Sequence, residues 1–324
     1  TKNRKIRLVF TAHDFFPICP KVTMFRHGAI CSNVKNYEAC GVCNATALDL
    51  KKIHILQSPI YRCLKDLSVV KKLRKKHRDD YLSEATVDDS VIPVGSAEDY
   101  RKLRNYYYSL LKLMDMIHYN SSVTRSVYES VFDLPQHCLV TITHADINDN
   151  RRIKEFSDGR LHIRYLGPQS GSKGYFLLKK ALDQLWEKEK EFCLDVHFRP
   201  IEMAPYIEVH PRYAYGELET IFEQTDILVT PSIWFETFGF TVLEALSYGV
   251  PVVISGTVGA KDILADGAGI IVDDITSDRL CNVLKNLTTA DLRKMNENIV
   301  RKQPIMQIET MSMKIETDCY GWNL

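Results

Sequence analysis

Residues 231–259 carry the pattern that most restricts the fold of this chain, because they combine a strand end, a glycine turn, a helix and a second strand. The preceding run at 227–229, Ile-Leu-Val, is apolar throughout, as expected for a strand buried on both faces of a sheet. Gly239 permits a tight turn, and the apolar stripe across residues 240–248 predicts a helix. Pro251 then opens another apolar strand. This order predicts a parallel α/β sheet.

Two glutamates flank the glycine turn, Glu236 before it and Glu244 within the predicted helix. A helix that follows a parallel strand begins at the sheet edge where open α/β proteins bind ligands, and its free N–H groups favour phosphate. Carboxylates on either side of such a helix start are suited to the hydroxyls of a sugar and a ribose. The opposing interpretation is a capping residue at Glu236 and a solvated helix charge at Glu244.

The residues around these glutamates resemble the signature of the GT-B family 4 glycosyltransferases, which are retaining nucleotide-sugar enzymes. Glu236 and Glu244 lie within E-x-F-G-F-x-x-L-E-A-L-x-x-G-x-P-V-V, and the pair Leu166-Gly167 with Lys173-Gly174 matches the first strand-to-helix turn of the family's donor domain. Further matches follow the family order, namely Tyr213, Glu217-Leu218, Thr225-Asp226-Ile227-Leu228, Pro231-Ser232, Gly259, Ile263, Gly267 and Gly269-Ile270-Ile271-Val272.

The resemblance implies an α/β chain of GT-B architecture, with two Rossmann-like domains on doubly wound parallel sheets. Residues 1–150 would form a partial acceptor-side domain with a cysteine-rich loop, and residues 151–324 the nucleotide-sugar donor domain. The first domain of this family opens with a strand, a glycine-rich loop and a helix that are not recognised here. We therefore expect an incomplete first domain, whose open sheet edge is covered by a partner chain or by self-association.

The implied function is transfer of a sugar from a UDP- or GDP-sugar to a glycan or lipid-linked acceptor. The alternative is a non-catalytic sugar-nucleotide-binding subunit, or one fragment of a split glycosyltransferase. Enzymes of this family generally need no divalent metal for catalysis, since cations and helix dipoles stabilise the leaving diphosphate. The family setting is bacterial cell-surface polysaccharide synthesis, which implies a cytoplasmic location, with or without peripheral contact to the inner face of the membrane.

The resemblance also assigns roles to individual residues. Glu236 would hold the donor sugar, Lys173 the diphosphate, and His13 would face the reacting carbon, which makes these three the expected catalytic residues. The expected nucleotide-binding residues are Gly167, Phe238, Gly239, Phe240, Thr241 and Glu244. The family places an arginine five residues before the lysine, where this chain has Pro168. Either Lys173 carries the positive charge alone, or another group replaces the arginine.

Four cysteines in the first half form a second pattern. Cys40 and Cys43 have the C-x2-C spacing that suits one edge of a tetrahedral zinc site, and Cys19 and Cys31 would complete it. Structural zinc and plain reduced thiols are both open interpretations. Nine cysteines in a chain without a recognisable secretion signal favour free thiols or metal over disulfides.

Charge and hydropathy argue against a nucleic-acid-binding protein and against a membrane-spanning protein. The net charge of +1 leaves no global footprint for nucleic acid, and no apolar run approaches the length of a membrane span. The basic segment 71–78, with Leu64 and Leu67 nearby, is either a solvated helix face or an interfacial helix that contacts anionic lipid. We also expect a helix over residues 98–118 and a strand over residues 138–143.

Overall fold

The computed structural model describes residues 6–31, 33–45, 50–72, 92–134, 136–156, 159–187 and 191–322. The segment Phe16–Tyr107 forms one compact unit, and the described residues before and after it form a second unit.

The strands are β1 (Val9–Ala12), β2 (Phe25–Arg26), β3 (Ala29–Ile30), β4 (Met116–Tyr119), β5 (His137–Leu139), β6 (Leu161–Tyr165), β7 (Phe192–Val196), β8 (Ile207–Val209), β9 (Ile227–Thr230), β10 (Val252–Ser255) and β11 (Gly269–Val272). The α-helices are α1 (Tyr37–Cys43), α2 (Leu50–Gln57), α3 (Pro59–Leu64), α4 (Ala97–Leu111), α5 (Ser122–Glu129), α6 (Tyr175–Trp186), α7 (Leu218–Glu223), α8 (Phe240–Ser247), α9 (Ser277–Asn286), α10 (Thr289–Lys302) and α11 (Ile308–Lys314). Short 3₁₀ helices span Tyr215–Glu217 and Gly259–Ile263, and a π-helix spans Ile315–Tyr320.

The larger sheet is parallel and has six strands in the order β11-β10-β9-β6-β7-β8. Alternate residues of its strands enter two separate cores, as the two-residue period of a strand requires. Ile163 and Val229 lie in a core with side chains of α6 and α9, whereas Leu228 and Val252 lie in a core with side chains of α7 and α8. Helices on both faces make this a doubly wound α/β sheet, and the predictions of β9 and α8 are confirmed.

The smaller sheet is also parallel, with the order β1-β4-β5. Its central strand β4 is buried along its whole length. The prediction of a helix over residues 98–118 is therefore wrong beyond Leu111, where α4 ends. Residues 116–119 pair with β1 instead, and the carboxylate of Asp115 accepts a hydrogen bond of 2.8 Å from the backbone N–H of Leu8. Pairing with a distant strand overrides the local helical pattern.

The strand predicted over residues 138–143 is shorter and lies earlier, at β5. Each of the two parallel sheets is confined to one side of residue 150, the small one before it and the large one after it.

The unit Phe16–Tyr107 has little regular sheet, since β2 and β3 form a two-stranded antiparallel pair. Arg104 of α4 organises its loops. The buried guanidinium donates to the carbonyl of Ile18 at 2.8 and 3.2 Å and to the carbonyl of Val34, and it lies 4.8 Å from the centre of the Tyr37 ring. Five donors in a fixed planar geometry allow one arginine to hold several carbonyl groups.

The basic segment 71–78 lies mostly outside the described residues. Leu64 and Leu67, which precede it, are exposed. None of the helices in the described ranges is long and apolar enough to span a bilayer.

A disulfide joins Cys138 of β5 to Cys319 of the π-helix, across a sequence separation of 181 residues. This bond corrects the expectation that the cysteines are free thiols or metal ligands, because the fold brings these two together with a Cα–Cα distance of 6.0 Å. The other seven cysteines form no disulfide within the described residues. A pairing over such a separation has no local signal in the sequence.

We expect the disulfide to stabilise the chain, because a cross-link over so long a loop removes much of the entropy of the unfolded state. Substitution Cys138→Ser should lower the free energy of unfolding by about 2–4 kcal/mol in oxidising buffer. Chemical denaturation with and without reductant measures this, with the exposed, unpaired Cys63→Ser as the control. A wild-type midpoint that does not change on reduction would contradict the expectation.

Candidate functional site

The large sheet reverses its winding between β6 and β9. The chain proceeds from β6 outward to β7 and β8, then returns to place β9 against the other side of β6. At such a point the loops after the two neighbouring strands diverge and open a crevice at the carboxyl edge of the sheet. Those loops are residues 166–174 after β6 and residues 231–239 after β9.

The two loops meet through an ion pair at the crevice. Lys173 Nζ lies 2.5 Å from Glu236 Oε1, and both side chains are mostly buried. Ser232 Oγ donates to Glu236 Oε2 at 2.9 Å, and the indole N–H of Trp234 donates to the same oxygen at 3.4 Å. The Lys173 ammonium also lies 4.9 Å from the centre of the Trp234 ring. The carboxylate is therefore held in one orientation beside a cation.

Backbone contacts fix the approach of these loops. The Ser172 carbonyl accepts hydrogen bonds from the backbone N–H groups of Ile233 at 2.9 Å and Trp234 at 3.3 Å. Gly174 has a φ of +76°, and a Cβ at this position would lie 1.9 Å from the Pro231 carbonyl oxygen. Only glycine permits both this conformation and this proximity.

Helix α8 begins at the same crevice. Gly239 precedes it with a φ of +102°, and a Cβ there would lie 2.9 Å from Val258 Cγ1. Because the cap residue has no side chain, it contributes no side-chain acceptor to the first helical N–H groups. The start of α8 consequently offers donors and a positive dipole end to an anion.

A cavity of about 160 Å³ lies between the two loops and the start of α8. It is lined by Tyr165, Leu166, Gly167, Pro168, Lys173, Val229, Thr230, Ser232, Glu236, Gly239, Phe240 and Thr241. Lys173 is the one cationic residue among these described lining residues. The Pro168 carbonyl accepts a hydrogen bond of 2.8 Å from the Tyr165 hydroxyl.

Most residues predicted at the nucleotide line this cavity, but two do not. Phe238 is buried in a small core with Ile147 and Leu243, so its side chain serves packing. Glu244 projects from the second turn of α8 and lies beyond the cavity lining.

Glu244 forms a second polar centre with His144. The Glu244 carboxylate lies 3.6 Å from His144 Nε2, and the His144 ring makes edge contacts with the rings of Tyr215 and Phe240. Burial raises the pKa of Glu244 to about 7 and lowers the pKa of His144. Burial and the nearby Glu244 also raise the pKa of Tyr215 to about 12. Burial thus favours the neutral forms of both partners near neutral pH.

His144 directly follows the strand predicted over residues 138–143, and its contact with Glu244 is a result of the fold. Ser232 and Trp234 were likewise not predicted as site residues. Their signal in the sequence was their position between β9 and Glu236, which places them in the same loop at a strand's carboxyl end.

His13 lies on a segment that reaches the same loop. Its ring is 74% exposed and Nδ1 lies 3.8 Å from the Asp14 carboxylate. The Asp14 carbonyl accepts a hydrogen bond of 2.8 Å from Tyr128, and the next residue, Phe15, makes a ring contact with Phe235. His13 is not among the cavity residues, and its assignment to the reacting carbon stays a prediction.

The carboxyl edge of the small sheet contacts the Glu236 loop from the other side. Ser121, which caps α5, donates to the Thr237 carbonyl at 2.6 Å, and Ser122 Oγ donates to the Asp262 carboxylate at 2.5 Å. The side-chain amide nitrogen of Asn120, buried beside them, has no hydrogen-bond partner among the described residues. These contacts close one side of the site, and the sequence did not reveal them.

The four cysteines predicted as a zinc site lie in the unit Phe16–Tyr107. Cys40 and Cys43 sit on α1, and all four thiols are free and partly buried. Burial raises the pKa of the Cys40 thiol to about 11, with Cys19 and Cys31 close enough to contribute. Among the described residues, the groups with three ligand atoms within 4.8 Å of one another do not include these cysteines. The structure therefore does not support zinc at this position.

Residues 202–303 match the protein family described as "Glycosyl transferases group 1". The match covers the stretch that carries Glu236, Glu244 and α8.

Two relatives with curated descriptions match part of the chain. The D-inositol 3-phosphate glycosyltransferase of Paenarthrobacter aurescens (strain TC1) is 34% identical over 125 residues, which cover 36% of this chain and 30% of that protein. An uncharacterized 41.2 kDa protein in the cps region of Klebsiella pneumoniae is 27% identical over 150 residues, which cover 44% of this chain and 39% of that protein. The chain thus spans less than two fifths of the length of either relative.

Two solved structures are similar in fold. Sucrose-phosphate synthase from Thermosynechococcus elongatus has a TM-score of 0.54 at 15% identity, covering 68% of this chain and 61% of that one. Anabaena Alr3699/HepE in complex with UDP-glucose has a TM-score of 0.53 at 15% identity, covering 70% of each chain. The expectation of an α/β, GT-B fold with parallel sheets is confirmed.

The raised pKa of Glu244 predicts a loss of stability as the pH rises. Between pH 4.5 and 7 the folded chain retains a proton that the unfolded chain releases, so the free energy of unfolding falls as pH increases. Glu244→Gln should therefore be more stable than wild type at pH 8, by up to about 3 kcal/mol, and equal to it at pH 4.5. Denaturant unfolding across this range is the measurement.

Glu297→Gln, an exposed glutamate of α10, is the matched control and should follow the wild-type curve at each pH. If Glu244→Gln shows the same pH dependence as wild type, Glu244 is not the group that titrates.

Proposed function

We propose that this chain is a retaining glycosyltransferase that moves a sugar from a nucleotide-diphosphate sugar to a hydroxyl of a glycan or lipid-linked acceptor. The observation that carries the proposal is the Lys173–Glu236 pair beside the start of α8, at the winding reversal of the sheet. The family match over residues 202–303 and the UDP-glucose complex of the similar Anabaena structure support it.

The diphosphate would bind at Lys173 and the first N–H groups of α8. An ammonium and a helix start together attract an anion, and both lie against one cavity. Lys173 is at present paired with Glu236, so a bound phosphate would share the cation with that carboxylate. This arrangement gives the leaving diphosphate a fixed positive partner as its charge develops.

Glu236 would hold the donor sugar. Ser232 and Trp234 both bond to Oε2, which leaves Oε1 and the shared lysine toward the cavity. At about 160 Å³ the cavity is smaller than the roughly 300 Å³ minimum of common small-molecule sites. It therefore suits only part of a nucleotide sugar, and the ribose would extend toward Glu244.

In the reaction, the bond between the anomeric carbon and the diphosphate oxygen breaks, and its electron pair leaves with the diphosphate. The acceptor oxygen bonds to the same face of that carbon, and its proton passes to the departing diphosphate oxygen. We assign His13 to the acceptor side of this step, because its segment contacts the Glu236 loop through Phe15 and Phe235. The proposal includes a cytoplasmic location for the protein. It also includes contact of segment 71–78 with anionic lipid or with a lipid-linked acceptor.

The proposal also covers the edge of β1 that lies away from β4. Among the described strands β1 pairs with β4 alone, so its other edge is available to a partner chain or to a second copy.

Substitution of Lys173 tests the diphosphate site. We expect Lys173→Gln to weaken binding of UDP, or of GDP if guanine is the base, by roughly 10- to 100-fold, because one charge-assisted contact is lost. Calorimetric titration measures this, with the exposed Lys180→Gln of α6 as the matched control. The free nucleoside should bind both variants equally. Equal loss of nucleoside and nucleotide affinity would indicate a damaged fold instead of a lost phosphate contact.

Substitution of Glu236 tests the transfer step. Glu236→Gln should abolish sugar transfer and keep the native circular dichroism spectrum, because the amide preserves the shape of the side chain but not its charge. UDP- and GDP-sugars with mixed glycan and lipid-linked acceptors are the substrates, and mass spectrometry detects products. Wild-type turnover in the variant would remove Glu236 from the mechanism. Donor binding by the wild-type chain without hydrolysis or transfer would favour the sugar-nucleotide-binding subunit.

A further inference from the structure

One face of the large sheet carries an unusual row of titratable side chains along β6, β7 and β8. His162 stands beside Cys193 in the register of β6 and β7, and Asp195 stands beside Glu208 in the register of β7 and β8. Alternate residues of the same strands, such as Ile163, enter the apolar core on the other face. Packing against a helix would not require these titratable side chains on the polar face.

Three ligand atoms converge on this face. Cys193 Sγ lies 3.1 Å from His162 Nδ1 and 3.7 Å from Asp195 Oδ2, and His162 Nδ1 lies 3.5 Å from the same carboxylate oxygen. A tetrahedral ion with bonds of about 2.0–2.3 Å has edges of about 3.3–3.6 Å between its ligand atoms. The three observed separations fall close to those edges before any adjustment of a side chain.

We propose that His162, Cys193 and Asp195 bind one Zn²⁺ ion. A thiolate, an imidazole and a carboxylate on a tetrahedral scaffold form a donor set that selects zinc over the harder cations Mg²⁺ and Ca²⁺. Binding replaces the thiol proton of Cys193 by the metal, and that proton is released to solvent. Because the His162 side chain is 40% exposed while Cys193 and Asp195 are buried, the ion enters from the His162 side. Water supplies the fourth ligand there.

Neighbouring polar side chains hold the Asp195 carboxylate for this role. His210 Nε2 lies 2.6 Å from Asp195 Oδ1, and Arg164 Nη1 lies 3.8 Å from that same oxygen. Both partners contact Oδ1, so Oδ2 is left toward His162 and Cys193. A hydrogen bond to the second oxygen of a ligating carboxylate is the usual way in which proteins orient such a ligand.

A second group around Asp195 is a poorer site. Asp195, Glu208 and His210 also have ligand atoms within 4.8 Å of one another. However, the 2.6 Å contact between Asp195 and His210 is a direct hydrogen bond, too short for two ligands of one ion. Glu208 is paired with Arg160 at 2.5 Å. We therefore assign His210 as a positioning residue for Asp195.

The proposed ion would join β6 to β7 and would not take part in sugar transfer. His162 is the second residue of β6, whereas the loop that carries Lys173 follows the last. Three residues of strand separate the two positions along the sheet, about 10 Å. The ion should consequently raise stability and leave nucleotide affinity unchanged, so the proposal stands or fails separately from the proposed function.

Metal titration of the full chain is the test. After treatment with chelator and dialysis, Co²⁺ replaces Zn²⁺ as a probe, since tetrahedral cobalt–thiolate coordination has intense visible and near-ultraviolet bands. We expect one equivalent with these bands in wild type, and Zn²⁺ competition that removes them. His162→Gln should weaken Zn²⁺ binding by at least about 100-fold, and His210→Gln by about 10-fold, as for loss of an orienting partner.

Control variants separate this site from other thiols. The double variant Cys40→Ser/Cys43→Ser should keep the one equivalent of bound metal. Two further variants should keep it as well: Cys281→Ser, at a buried cysteine of α9 outside the disulfide, and His137→Gln, at a partly exposed histidine of β5. Cys193→Ser should lose the thiolate bands. If Cys193→Ser does not fold, His162→Gln is the deciding variant, because His162 is partly exposed and its substitution disturbs packing less.

Zn²⁺ should raise the unfolding midpoint of wild type and of the three controls but not that of folded His162→Gln. Cobalt bands that persist in His162→Gln, or that vanish only in the Cys40→Ser/Cys43→Ser variant, would overturn the proposal. So would a wild-type chain that binds no ion, which would mean that the three side chains only hydrogen-bond to one another.

Discussion

The ion pair between Lys173 and Glu236 is the interaction on which the candidate site depends. It joins the loops after β6 and β9, which the winding of the sheet brings together, and it is buried enough to fix both side chains. Removing water from a charge is costly unless a partner compensates, so each residue is held by the other and by Ser232 and Trp234. The pair therefore prepares a cation and an oriented carboxylate at one cavity before any ligand arrives.

Burial also acts on the second polar centre, formed by Glu244 and His144, but there it favours uncharged side chains. Glu244 and His144 lie 3.6 Å apart, but burial raises the pKa of the acid and lowers that of the base. The carboxyl group near neutral pH is thus able both to donate and to accept a hydrogen bond, which suits a ribose diol. The chain combines a charged centre at the cavity with a second centre farther along α8, where burial favours the uncharged forms.

Local patterns predicted part of the fold well. The apolar run of β9, Gly239 and the stripe of α8 were each predicted, because burial on both faces, a positive φ and a 3.6-residue period leave direct marks in the sequence. The same reasoning failed at Met116–Tyr119, where pairing with β1 overrides a helical pattern, and at Cys138, whose partner lies 181 residues away. Both failures concern long-range partners, which no local window contains.

Local patterns in the chain were enough to identify the residue types at the site: two glutamates around a glycine turn, a lysine after a strand, and glycines where a Cβ would collide. They were enough because a tight turn, a helix start and a buried strand each restrict the residues that form them. The contacts among these residues depend on the folded chain. Lys173 contacts Glu236, His144 faces Glu244, and His162, Cys193 and Asp195 converge. Those contacts follow from strand order and register, which are set by the packing of the whole sheet.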